Sequence, residues 1–402
     1  MRPDESIAAN QTFVTQLLRY YHCGKPADAK QYALPTGDQV DFLCDVGLGP
    51  IAFRVYGDDF RRSDPDLFAI LQSADLTTRV IYGQLEKATV ELVTRLRNVG
   101  VIPILLKGIS TSAQFYDPPH LRVMADIDLL VESSQVELVM TEVANLGYEI
   151  KDKQWQLYRT FGHHHLPAAT HPTTGATIEV HTGLFGSEEF YSREAVFQRE
   201  SFAGQAIPFD YHGIPVARFT PEFQFIFTVS KWSVDDDWAT NLTGINDAIH
   251  ILRESESQFD WPTISRWTEA NPHLVPIISA LMHYLEQVGI VTMSPELQKA
   301  LAGAAQEPRK RTMELLARLL HAYPFNADTM AHGGYARWRA HALWLHLSKP
   351  GGSDFKIPMA ILRAMLRSAR YGRYNPIVVV PFRMKTLLYR VKRKYQAVQL
   401  SN

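Results

Sequence analysis

Leu105-Leu106-Lys107-Gly108-Ile109-Ser110 ends an apolar run on a lysine-glycine pair. Further on, Arg122-Val123-Met124-Ala125-Asp126-Ile127-Asp128-Leu129-Leu130-Val131 sets two aspartates into a second apolar run, the first of them eighteen residues after that glycine. On a strand, residues two apart face the same side, so Asp126 and Asp128 are expected as neighbours. Two unneutralised carboxylates side by side repel unless a cation lies between them or one takes a proton. Oxygen donors beside a glycine turn favour a hard divalent ion, Mg²⁺ first and Mn²⁺ as the alternative.

The elements around this stretch alternate. Apolar positions recur at helical spacing from about Asp66 to Arg97, and Asn98-Val99-Gly100 supplies the stop. Val101 to Leu106 reads as a short buried strand, Ser110 to Phe115 as a brief helix, and Ile127 to Val131 as a second strand. Ser133-Ser134 caps a helix over Gln135 to Leu146, with a third strand at Tyr148-Glu149-Ile150. Ala176-Thr177-Ile178-Glu179-Val180-His181 alternates again. It places Ile178 and Val180 on one face, and Thr177, Glu179 and His181 on the other. Residues before 66 and after Pro221 read as helices, including Phe223 to Trp232, Leu242 to Leu252, Leu274 to Val288 and Met313 to Leu320.

The expected fold class is α+β with an α/β core: a small mixed sheet with helices on one side, and helical N-terminal and C-terminal regions. The expected divisions are a helical region at 1–98, the sheet-bearing core at 99–218, a helical domain at 219–348 and a basic segment at 353–402.

Length and composition set bounds. At 402 residues, 46% apolar and 21% charged, the chain suits a globular protein of two or three packed units. Cys23 and Cys44 have no metal or redox spacing and too few partners for a disulfide scaffold, which fits a reducing, cytoplasmic setting. No signal-peptide layout opens the sequence, and no apolar run has the length of a membrane span. The net charge of −1 conceals an asymmetry: residues 331–402 hold 14 Lys and Arg against one acid, Asp354. Such a tail suits an anionic partner (nucleic acid, anionic lipid) or the acidic body of its own chain.

The spacing of Lys107-Gly108, Arg122 and Asp126-Ile127-Asp128-Leu129-Leu130-Val131 resembles the nucleotidyltransferase superfamily that includes DNA polymerase β and the aminoglycoside nucleotidyltransferases. It is most similar to a bacterial branch of uncharacterised nucleotidyltransferases, which carry Leu-Lys-Gly, then an Arg before Asp-Ile-Asp-Leu-Leu-Val. The likeness extends over residues 66–255, through Ile178-Glu179-Val180-His181 and the segment from Lys231 to Asp247. It implies metal-dependent transfer of a nucleoside monophosphate from an NTP to a hydroxyl acceptor, with release of pyrophosphate. Asp126, Asp128 and Glu179 would be the metal-binding and catalytic carboxylates. Lys107, Gly108, Ser110, Arg122 and Lys231 would face the nucleotide, and His181 and His165 the substrate. The acceptor is expected to be a small molecule or a peptide, with tRNA an alternative through the basic tail.

Two departures bear on activity. Lys107-Gly108 stands where the superfamily usually has Gly-Ser, leaving Ser110 or Thr111 to supply a hydroxyl, and the third acid is Glu179 rather than aspartate. If Lys107 instead neutralises the aspartates, the chain is a catalytically inactive nucleotide-binding module. His163-His164-His165 suggests zinc, but consecutive histidines cannot all point one way and no helical ligand pair supports them. Asp235-Asp236-Asp237 reads as a solvated loop, and Trp232 and Trp238 as packing groups.

Overall fold

The computed structural model describes residues 13–26, 33–150, 163–186, 189–234, 242–256, 258–304, 309–322 and Leu343, Trp344 and Leu347. The basic C-terminal segment, Asp235-Asp236-Asp237 and Trp238 lie outside the described residues, as does the stretch 151–162.

Helix formation follows local signals. After α1 (Phe13–Cys23), α2 (Gly37–Asp45) starts at Thr36 and Gln39, which form a reciprocal capping box. α3 (Gly49–Ser63) is followed by α4 (Pro65–Asn98), whose N-cap Asp64 accepts from Leu67 N at 3.1 Å. Pro65 suits the first helical position, and Arg95 and Arg97 meet the negative end of the helix. Gly100, at φ +81°, turns the chain out of α4.

The sheet then begins. β1 (Ile104–Leu105) leads straight into α5 (Lys107–Phe115), and β2 (Ile127–Leu130) into α6 (Val136–Asn145). β3 (Glu149–Ile150), β4 (Ala169–Thr170) and β5 (Thr177–His181) follow. β6 (Ala206–Tyr211) and β7 (Ile214–Phe219) form a hairpin whose turn residues, His212 and Gly213, both have positive φ. That is the two-residue turn whose twist matches paired strands. The seven strands lie in the order β3-β4-β5-β2-β1-β7-β6. β2 and β5 run parallel, as do β1 and β7, while the other pairs are antiparallel.

The mixed sheet matches the expected class, and three details differ. The strand expected over 101–106 shrinks to Ile104–Leu105, because Leu106 already caps α5 and Lys107 is its first residue. Strand β4 and the 206–219 hairpin went unread. Helices also cover both sheet faces rather than one. Ile127, Leu129, Ile178 and Val180 pack with Leu85, Leu92 and Leu96 of α4 and Val136, Val139 and Val143 of α6. On the other face Leu130 and Phe219 join a second core with Phe223 and Phe227 of α7 (Pro221–Val234). This second core extends through α8 (Thr243–Glu254), α9 (Trp261–Ala270), α10 (Val275–Gln287), α11 (Pro295–Ala304) and α12 (Arg309–Ala322). It also takes in Leu17, Ile51 and Leu71 of α1, α3 and α4, so helices from both ends of the chain share one interior. No helix among the described residues is long and apolar enough to cross a membrane.

Candidate active site

Parallel pairing of β2 with β5 sets Asp128 opposite Glu179 and Leu130 opposite His181. The pleat sends Ile127, Leu129, Ile178 and Val180 into the core and the polar side chains to the other face. Hydrophobic burial on one face thereby positions carboxylates on the other. Asp128 is 2% exposed, and His181 1%. His181 Nε2 donates to Asp128 Oδ1 at 2.7 Å and lies 3.7 Å from Glu179 Oε2.

Lys107 reaches the same carboxylate from the first residue of α5. Its Nζ donates to Asp128 Oδ1 at 2.8 Å and stands 3.9 Å from Glu179 Oε2. The backbone there has φ +43°, a region that a lysine rarely adopts and that surrounding structure must hold. Gly108 follows for a steric reason. A Cβ on it would lie 3.0 Å from Met124 Cβ and 3.3 Å from Arg122 Nη1, so a glycine lets α5 approach the 122–126 loop without pushing Met124 aside.

The charges divide unevenly. Burial alone would raise the Asp128 carboxyl, but the His181 hydrogen bond and the Lys107 ammonium hold it well below the usual carboxylate range. Asp126, just before β2, is pushed up to about 6 by burial and by the charge of Asp128. Glu179 is lowered, first by the His181 imidazole 3.7 Å away. Burial opposes the charged form of Lys107, yet Asp128 and Glu179 outweigh it and raise its pKa.

Asp128, Glu179 and His181 offer one ligand atom each within 4.8 Å of one another, a spacing that fits one divalent cation. Two carboxylates and one imidazole suit Mn²⁺ or Zn²⁺ at least as well as Mg²⁺, which favours oxygen. Asp126 lies outside this trio and acts on it electrostatically.

Other expected site residues fall in different surroundings. His165 forms an isolated bridge with His181, and their rings are 5.2 Å apart; its Nδ1 bonds Leu166 O at 2.8 Å. His164 stands 5.4 Å from His181, and burial together with Lys231 drives it down to about 2. Ser110 is fully buried inside α5, and its hydroxyl accepts from Gln114 Nε2 at 2.6 Å. Lys231 Nζ pairs with Glu189 Oε1 at 2.6 Å, and the other Glu189 oxygen accepts from Gly186 N at 2.6 Å. Arg122 grips Asp247 with Nε at 3.1 and 3.2 Å and Nη2 at 2.8 Å, while its Nη1 donates to Val123 O at 2.6 Å.

A salt bridge from Arg122 to an acid is the alternative that its sequence position also allows; what sequence reasoning missed is the partner, Asp247, and the buried network around it. Tyr116 donates to Asp247 Oδ1 at 2.7 Å and accepts from Asn246 Nδ2 at 2.8 Å. The available signal was the polar row Asn246, Asp247 and His250 amid the apolar residues of an otherwise amphipathic helix. An acid on a buried face implies a buried cation elsewhere in the chain.

Residues 47–288, more than half of the chain, match the family described as uncharacterised nucleotidyltransferase. A crystal structure of an antigenic nucleotidyltransferase-like protein from Paracoccidioides brasiliensis shares 16% identity, with 59% of this chain and 93% of that one covered, at a TM-score of 0.32. At that level it adds nothing to the fold or function read from the chain itself. No curated protein matches the sequence.

Proposed function

Because the chain belongs to the uncharacterised nucleotidyltransferase family, we propose that it transfers a nucleoside monophosphate from an NTP to a hydroxyl on a small molecule or peptide. The acceptor oxygen attacks the α-phosphorus, the bond to the bridging oxygen breaks, and pyrophosphate leaves. The observation that carries this reading is the parallel register of Asp128 and Glu179, with Lys107 aimed at both from the start of α5.

Each residue then has a task. Asp128 and Glu179, with His181 beside them, would hold a divalent ion, Mg²⁺ or Mn²⁺, and Asp126 would add negative charge at its edge. When bound, that ion supplies Lewis-acid stabilisation of the triphosphate and lowers the pKa of the attacking hydroxyl. Glu179, half-buried and ionised, can accept the hydroxyl proton. The first-turn amides of α5, at Lys107 and Gly108, offer donors to phosphate oxygens, and the helix dipole adds to them. Lys107 would exchange its bond to Asp128 for one to the triphosphate as the metal arrives. Arg122, bound to Asp247, would fix the loop that carries Asp126. His165 and Lys231 would border the acceptor side.

The 2.8 Å bond between Lys107 and Asp128 favours a second reading. The lysine already neutralises the site, as in an inactive nucleotide-binding module. Pyrophosphate release separates the two. With Mg²⁺ or Mn²⁺, each of the four NTPs and acceptors from the small-molecule, peptide and tRNA classes, the wild type should turn over. Asp128→Ala and Glu179→Ala should lose at least roughly a hundredfold of that rate. A wild type equal to Asp128→Ala across all acceptors would leave the inactive module standing. RNA binding that falls steeply with salt would favour tRNA as acceptor through the basic tail.

A further inference from the structure

A cavity of about 410 Å³ opens between α1, α3 and α8, on residues that nucleotidyl transfer does not use. Its size lies within the range of small-ligand pockets. Three cations border it, Lys25 just after α1, Arg54 on α3 and Arg253 at the end of α8, against one acid, Glu254. Lys25 is held by Asp59 at 2.7 Å, and Arg253 spends one donor on Ile290 O at 3.1 Å. Cations at the ends of α1 and α8 also complement helix dipoles, which explains Arg253 without any ligand. Arg54 has no such explanation. It is exposed, lies within α3, and makes no hydrogen bond or ion pair among the described residues.

The floor of the cavity is aromatic and uncharged. Tyr21 lies 5.4 Å from His250 and 4.8 Å from His22, and His250 stacks on Tyr116 at 3.7 Å. Burial keeps His22 and His250 neutral and pushes the Tyr21 phenol up to about 12, leaving it a hydrogen-bond donor. A cationic rim over a neutral aromatic floor matches a ligand that joins a phosphate to a flat ring.

We propose that this cavity is a second ligand site, taking a small organic phosphate of the mononucleotide class. The ring lies against Tyr20 and Tyr21, and the phosphate meets Lys25, Arg54 and Arg253. The site does not depend on the reading of the β2–β5 carboxylates. Its floor does connect to the loop that leads into β2: Tyr116, beneath His250, bonds Asp247, which holds Arg122.

Calorimetric titration of the full chain with AMP tests it. EDTA in the buffer removes divalent ions, so no metal–nucleotide complex forms at Asp128 and the outcome is separate from that of the transfer reaction. One saturable site is expected. Arg54→Glu should weaken it by roughly tenfold or more with unchanged melting temperature, Arg253→Gln should weaken it by a similar factor, and Asp128→Asn should leave it intact. Ribose 5-phosphate and adenosine should each bind at least roughly tenfold more weakly than AMP, since each lacks half of the contacts. The absence of saturable AMP binding would overturn the proposal. So would binding that survives Arg54→Glu but is lost in Asp128→Asn, which would assign the nucleotide to the carboxylate site. Equal affinity for AMP and ribose 5-phosphate would remove the aromatic floor from recognition and overturn it too.

Discussion

Lys107 holds a backbone geometry few lysines adopt, and its ammonium bridges Asp128 and Glu179. A divalent ion needs the same two carboxylates, so lysine and metal compete for them unless Lys107 moves. Lys107→Met is therefore expected to raise Mn²⁺ affinity, followed by electron paramagnetic resonance, by roughly tenfold or more. NTP turnover should fall, because the phosphate partner is lost. An unchanged Mn²⁺ affinity would show that the lysine does not occupy the metal's place. His250 offers a residue-scale prediction away from this site. Burial, helped by Arg253, lowers it to about 4 against the raising effects of Asp247 and the Phe115 carbonyl, and burial lowers the neighbouring His22 as well. Tyr21 and Tyr116 pack on its ring as neutral phenols. A histidine whose folded pKa is depressed stays neutral in the native state while the unfolded chain takes up a proton. Its stabilisation is complete above pH about 6.5 and is lost as pH falls towards 4, on the order of 3 kcal/mol. Asparagine keeps a donor for Phe115 O, which His250 Nδ1 now meets at 2.9 Å. His250→Asn should accordingly show a flatter loss of urea stability between pH 7 and 5. An equal loss in both proteins would remove His250 from the acid sensitivity.

At the scale of elements, α5 and α8 clamp the loop that delivers Asp126. Asp247 is buried and Arg122 largely so, and removing one partner strands a charge, at a cost of about 3 kcal/mol. Asp247→Ala should lower the urea midpoint accordingly. The double variant Arg122→Met, Asp247→Leu should lose much less, since two apolar side chains strand no charge. Equal losses in both would mean that packing, not the ion pair, sets the cost. Gly108→Ala tests the other side of the clamp. Its Cβ would press on Met124 Cβ at 3.0 Å, so about 1–3 kcal/mol of stability should go, visible in the same melts. These elements also show what was legible in the sequence. α4 was readable almost to the residue, because a regular apolar period ends in Asn98-Val99-Gly100. So was the polar face of β5, because period-two alternation fixed Glu179 and His181 together. Two-residue strands such as β4 leave no period to detect. The β6–β7 hairpin was missed because His212-Gly213 is not one of the common turn pairs, although both residues take the required positive φ. The Arg122–Asp247 pair spans 125 residues, a distance at which side-chain spacing carries no information. The role of Lys107 was legible only as a choice between phosphate and aspartate, since the turn that aims it is a matter of φ.

Over the whole molecule, two interiors meet along the sheet, and α4 belongs to both: Leu71 to one, and Leu85, Leu92 and Leu96 to the other. The sheet-side interior is built from neighbours in sequence. The helical interior gathers α1 to α3 with α7 to α12, so its formation requires both ends of the chain. Its last described contributors are Trp344 and Leu347, each fully buried. Trp344 meets the Trp232 ring at 5.2 Å and donates its indole N–H to Ser233 O at 3.1 Å, at the end of α7. α7 also carries Lys231, and Gly244 at the start of α8 fits beneath Trp232 with no room for a Cβ. Trp344 therefore packs on the end of α7, against the same Trp232 side chain that Gly244 of α8 meets. Trp344→Ala should cost about 3–5 kcal/mol, the usual loss for an emptied aromatic site. The effect should be local first. Amide hydrogen exchange in α7 and α8 should quicken well before that in β2 and β5, of whose apolar side chains Ile127, Leu129, Ile178 and Val180 pack in the other interior. Uniform acceleration across the sheet would show that the two interiors unfold as one unit and that Trp344 secures the whole fold.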